Sequence, residues 1–171
     1  MDFITELPKT QGKDYIFVVV DRLTKFAHFF TIATDFSAAQ VAELFFREIF
    51  RLHGLPKTIV SDRDSRFMST FWQELFRLVG TALTPSTSYH PQTDGKTEIV
   101  NKWVEGYLWN YVVGQQKAWV RWLHLGEYCY NTTQHVSIGM SPFRALYGYN
   151  PLSFGEIAFS DSRAPMVQDW I

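Results

Sequence analysis

Asp2, Asp62 and Glu98 are the residues best suited to chemistry in this chain of 171 residues, and thirty-five residues separate the last two. Each stands where a metal ligand is useful: in a strand, at a strand end and at a helix start. Carboxylates gathered in a folded protein repel one another and lose hydration, so a cluster of them calls for positive charge between them. Oxygen donors of this kind select Mg²⁺ or Mn²⁺, and two such ions can drive an in-line displacement at a phosphate. Taken singly, each acid has a plainer explanation. Ser61-Asp62-Arg63-Asp64 reads equally as a polar turn ahead of a helix. Glu98 reads as a solvated glutamate gaining a little from the helix dipole. Asp21 directly follows Val18-Val19-Val20 and rivals Asp2, although a turn residue bonded to its own backbone accounts for it. Asp14 reads as a loop charge. Lys102, one turn past Glu98, could reach a phosphate or simply pair with Glu98 or Glu105.

The elements that must position these groups follow from pattern. Asp2 to Thr5 reads as a short strand, Tyr15 to Val20 as a strand buried on both faces, and Phe26 to Ile32 as its antiparallel return after a turn over Asp21 to Lys25. Ser37 with Gln40 forms a capping box. The helix it opens has Val41, Leu44, Phe45, Ile49 and Leu52 on one stripe and is stopped by Gly54 and Pro56. Thr58 to Val60 reads as a strand running into Asp62. Thr70 with Gln73 is expected to cap a second helix ending at Gly80, and Thr81 to Leu83 to form an edge strand. Pro85 to Thr93 has no period and reads as a loop. Asp94-Gly95 opens a third helix, with Ile99, Trp103, Tyr107 and Tyr111 expected to face the core. A fourth helix spans about Ala118 to His135 and a short one Pro142 to Tyr147. The result is an α/β fold with a mixed five-stranded sheet flanked by helices. Residues 1–150 form one domain and residues 151–171 a tail or linker.

Composition narrows the function. With 46% apolar and 17% aromatic residues the chain can build a full core. Cys129 is the single cysteine, so no internal disulfide and no cysteine-rich zinc site is available. His28, His53, His90, His124 and His135 show no paired zinc spacing. No apolar run is long enough to cross a bilayer, which points to an intracellular setting without membrane contact. A net charge of −1 gives no broad electrostatic grip on nucleic acid, so any such grip is local or comes from elsewhere in a larger protein. Bound cations would offset the carboxylates. His90 could hydrogen-bond a phosphate, although a loop histidine is more often solvated. Trp103, Trp109, Trp119 and Trp122 are expected in the core or at a dimer contact.

Five stretches together resemble the catalytic core of retroviral-type integrases, most of all those of gypsy-type LTR retrotransposons: MDFITELP, VVVDRLTKFAHF, IVSDRDSRF, SYHPQTDGKTEIVN and SIGMSPFRALYGYNP. The likeness runs to about Pro151. It implies a ribonuclease-H-like fold in which Asp2, rather than Asp21, joins Asp62 and Glu98 as the metal-binding catalytic triad, holding two Mg²⁺ or Mn²⁺ ions. It implies DNA contacts by Tyr89, His90, Gln92 and Lys96 in and beside the loop, and by Lys102. The implied activity is polynucleotidyl transfer, with trimming of the 3′ ends of element DNA and their joining to target DNA. The implied setting is the nucleus or a cytoplasmic retroelement particle, and the implied assembly a homodimer or higher oligomer.

The sequence departs from the family in three respects. Asp64 stands where the family usually has glycine, adding negative charge two residues from a metal ligand. The histidine-cysteine zinc domain that normally precedes the core is not expected within these residues, nor is the domain that normally follows it. Partial activity of the core by itself is the corresponding expectation. The alternative is a catalytically impaired or host-adopted descendant that serves as a DNA-binding or dimerisation module. A nuclease acting on RNA in hybrids fits less well, because the stretches after Tyr89 are integrase-like.

Overall fold

The computed structural model describes residues 1–61, 63, 65–80, 95–112 and 116–151, the side chains of 65, 66, 95–98 and 116 excepted. Three strands form its sheet: β1 Asp2–Ile4, β2 Tyr15–Val20 and β3 Ala27–Ile32. All pair antiparallel in the order β1-β2-β3, with Asp2 opposite Val18 and Val20 opposite Ala27. Side-chain alternation divides the strands between two cores. Phe3, Phe17 and Ile32 face one side, where α1 Ala38–Phe45 and α3 Ser65–Val79 pack. Ile4, Ile16, Val18, Ala27 and Phe29 face the other, covered by α4 Gly95–Tyr111 and α5 Trp119–Thr132. Asp2 alternates with Phe3 and therefore shares the α4 side with Ile4.

The β2–β3 hairpin, the Ser37 capping box and the short helix α6 Pro142–Tyr147 stand where the sequence puts them. Ser37 Oγ accepts from the Gln40 N–H at 3.2 Å, and Gln40 Oε1 accepts from the Ser37 N–H at 2.7 Å. Asp21 is the turn residue it resembled. Its Oδ2 accepts from the Thr24 N–H and hydroxyl at 2.8 and 2.6 Å. Burial opposes its ionisation, but these bonds outweigh it and lower its pKa. Asp14 is held by the Thr34 hydroxyl.

Four expectations are corrected. Among the described residues the sheet shows three of the five expected strands, all antiparallel. Thr58 to Val60 is not a strand. Its recorded backbone link to the sheet is the bond from the Met1 amino group to the Val60 carbonyl at 2.6 Å, and one bond makes no ladder. Thr81 to Leu83 lies outside the described residues. The second helix begins at Ser65 rather than at Thr70, because Phe67, Met68, Phe71, Trp72, Leu75 and Phe76 continue one apolar stripe through the supposed cap. In the first helix, Leu52 is exposed. The chain passes through a π-helical turn, Phe46–Phe50, before α2 Arg51–His53, and the extra residue per turn swings later positions off the stripe.

The fourth correction concerns α4. Its core stripe is Val100, Val104 and Leu108, one position along from the expected series. Ile99 is 69% exposed and Tyr111 47%. Trp103 and Tyr107 lie on the flank, stacked on each other with centroids 5.4 Å apart. Both series recur every four residues, and the slimmer aliphatic one fits against the sheet. Gly126 of α5 lets the two helices close up, since a Cβ there would lie 2.9 Å from the Tyr107 ring.

The open edge of β3 is closed by α5. Asn131 is buried and pairs with both backbone groups of Ala27, at 2.9 and 2.8 Å, while Glu127 Oε2 accepts from the Phe29 N–H at 2.8 Å. One turn of helix thus satisfies a strand edge that would otherwise recruit another chain.

Candidate functional site

Of the three acids, Asp2 is the one whose side chain is described. Glu98 is in the first turn of α4, with its side chain outside the described residues, and Asp62 lies outside them. So do Asp64, Tyr89, His90 and Gln92, and the side chain of Lys96. Lys102 is exposed on α4 one turn beyond Glu98.

The segments that carry the acids meet. Asp2 Oδ1 accepts from the Phe3 N–H at 2.8 Å, and Oδ2 accepts from Asn101 Nδ2 at 2.6 Å. Asn101 is three residues past Glu98 and hence its neighbour on the helix surface. The Met1–Val60 bond sets the start of β1 beside the run leading to Asp62. Immediately before Asp62, Ser61 is buried, and its Oγ accepts from the Arg63 N–H at 3.2 Å across that position. Immediately after it, the Arg63 guanidinium lies 4.4, 4.9 and 5.4 Å from the ring centroids of Phe3, Phe36 and Phe67. A cation seated among three aromatic faces gains from each quadrupole and fixes the backbone that carries it. Met1, Val60 and Ile99, each within two residues of one of the acids, line a single cavity of about 790 Å³.

Two of these residues were missed in the sequence. Asn101 sits in the quoted stretch TEIVN but reads as an ordinary helix-surface amide. Arg63 reads as a turn charge. One signal was available for Asn101: it falls three residues after Glu98, on the face that must approach β1 if Glu98 is to do so.

The donor set can be tested against a hard cation. Asp2 keeps acceptor capacity after its two hydrogen bonds, because each carboxylate oxygen offers two lone pairs. Asn101 Oδ1 is buried and has no hydrogen-bond partner. An orphaned oxygen beside a carboxylate suits a hydrated divalent ion better than it suits a closed apolar contact. Among the described residues, no group of three His, Cys, Asp or Glu gathers in ligating position.

Comparison with known proteins fits this geometry. Residues 1–91 match the family described as Integrase core domain. The chain is 35% identical, over an alignment of 173 residues that takes in all of it, to the Transposon Tf2-3 and Transposon Tf2-4 polyproteins of Schizosaccharomyces pombe, and spans 13% of their length. The HTLV-2 integrase catalytic core domain in complex with magnesium, in its trimeric form, superposes with a TM-score of 0.60 at 15% identity, covering 84% of this chain and 93% of that one. Its dimeric form gives 0.58 at 14%, covering 84% and 92%. The fold is therefore the ribonuclease-H-like α/β fold of integrase cores, as expected. With the family matching more than half its length and its architecture shared with solved integrase cores, the chain belongs to the integrase core domain family.

Proposed function

We propose that this chain is the polynucleotidyl transferase core of an LTR-retrotransposon integrase, trimming 3′ ends of element DNA and joining them to target DNA. The observation that carries the reading is the Asp2–Asn101 bond, which ties the strand bearing one acid to the helix bearing another. Asp2, Asp62 and Glu98 would together hold two Mg²⁺ or Mn²⁺ ions. Bound there, such ions supply Lewis acidity that activates the attacking water or 3′-hydroxyl and offsets charge on the leaving oxygen. Support comes from the oxygen-only donor set and from solved integrase cores that contain magnesium.

The protein's own part is orientation. Asn101 and the Phe3 N–H each hold one oxygen of the Asp2 carboxylate, so little freedom is left to lose when substrate arrives. Arg63, seated among its three rings, steadies the segment around Asp62. Lys102 is exposed for a phosphate contact, and Tyr89, His90, Gln92 and Lys96 belong to the same DNA-binding reading. No covalent enzyme intermediate is required, because catalysis of this class rests on positioning and charge stabilisation. Residues 1–150 make up the core and 151–171 the tail. The reading carries with it an intracellular setting, in the nucleus or an element particle, and a homodimer or higher assembly. Among the described residues no helix is long and apolar enough to cross a membrane. Self-association is supported by Trp109, 71% exposed on α4, and by the dimeric and trimeric forms of the structural neighbours.

The test is Mg²⁺- or Mn²⁺-dependent strand transfer, or its reversal, on a branched DNA substrate. Wild type is expected to be active and Asp62→Asn inactive. Asn101→Ala is expected to lose about 10–100-fold through weaker cation binding. Equal activity in Asp62→Asn would eliminate the carboxylate assignment. A folded, DNA-binding but inactive wild type would favour the impaired-module reading that Asp64 raises.

A further inference from the structure

We propose that His28 and His53 form a second cation site, unlike the carboxylate one, for a borderline divalent transition metal such as Zn²⁺. The two residues are twenty-five positions apart, on β3 and at the end of α2, and their Nε2 atoms face each other at 3.0 Å. Two imidazole nitrogens cannot approach so closely with both lone pairs or both protons between them. Either one ring donates to the other, or both donate to a shared cation.

The surroundings suit a cation. His28 Nδ1 lies 3.1 Å from Glu127 Oε1, while the other oxygen of that carboxylate is held by the Phe29 N–H at 2.8 Å. An ionised carboxylate only accepts, so Nδ1 carries the His28 proton and Nε2 is left with its lone pair. A carboxylate behind a histidine whose far nitrogen points at an open position is the arrangement that orients metal-binding imidazoles. His53 is the last residue of α2, and Gly54 after it, with φ of 76°, ends the helix. Both rings line the 790 Å³ cavity, which gives an ion a way in.

Nitrogens 3.0 Å apart suit cis positions on an ion with bonds of about 2.0–2.1 Å, and imidazole favours Zn²⁺, Ni²⁺ and Cu²⁺ over Mg²⁺. The protein supplies two ligands and solvent completes the shell. A bound ion would pin the end of α2 to β3 and, through Glu127, to α5.

The experiment is calorimetric titration with Zn²⁺ at pH 7.5 in a large excess of Mg²⁺, which occupies the hard oxygen sites. One equivalent is expected to bind wild type and to raise its melting temperature. The equivalent is lost in His53→Asn, whose exposed side chain can change without unfolding the chain, and is about tenfold weaker in Glu127→Gln. It persists in Asp62→Asn, which separates this site from the proposed catalytic one. Binding weakens at pH 5.5, where protons compete for the imidazoles. Undiminished Zn²⁺ binding in His53→Asn, or none in wild type, overturns the proposal.

Discussion

The two faces of the sheet are closed by helices of different character. On the α1/α3 face the apolar stripes are clean, and Phe17, Phe71, Met68 and Leu75 interlock with almost nothing exposed. On the α4/α5 face, helix α4 has two competing series every four residues, and only the aliphatic one reaches the core. That same helix bears Glu98, Asn101 and Lys102. On the function proposed above, a helix that serves a site with a carboxylate, an amide and a lysine would not also keep a wide apolar stripe. The clean face holds the fold together, and the blurred face carries the candidate chemistry.

The contrast can be broken by mutation. Phe71→Ala on the clean face is expected to cost about 3–5 kcal/mol, as a fully buried ring lost to a cavity. Ile99→Ala on the blurred face should stay within about 0.5 kcal/mol, because the side chain is largely in solvent. Chemical denaturation of both variants decides the matter, and comparable losses would mean that the α4 stripe is misassigned. An intermediate effect is expected for Gly126→Ala, where overpacking against Tyr107 should cost about 1–3 kcal/mol. Adding Tyr107→Leu should return part of that loss, and a stable single variant would show that α4 and α5 do not approach so closely. The smallest change in stability is expected for Trp109→Lys. Light scattering should nevertheless register a shift toward monomer, and an unchanged oligomer would remove Trp109 from the association surface.

Local signals were legible wherever neighbouring residues decide the outcome. The continuous apolar run of β2, the Ser37–Gln40 reciprocal cap and the start of α6 at Pro142 each depend on a few adjacent positions. Legibility failed where tertiary packing chose between two locally acceptable readings. Thr70 and Gln73 make a plausible cap, yet the stripe beginning at Phe67 had more apolar surface to bury against α1. Thr58 to Val60 has strand composition, yet a strand needs partners along its length. Among the candidate site residues, the acids were visible as types and positions. The groups that orient them were not, because asparagine and arginine on a surface carry no sequence mark of what they touch.

The sequence by itself determined the inventory of hard oxygen donors, the alternation that sends Asp2 to the α4 side, and the helix that bears Glu98 and Lys102. Only the tertiary structure decided that Asn101 would reach Asp2 across ninety-nine positions, and that two histidines with no recognisable spacing would meet ring to ring. The physical reason is range. Periodicity and capping act over a turn or two of chain, whereas these contacts exist only once the sheet has been covered on both faces.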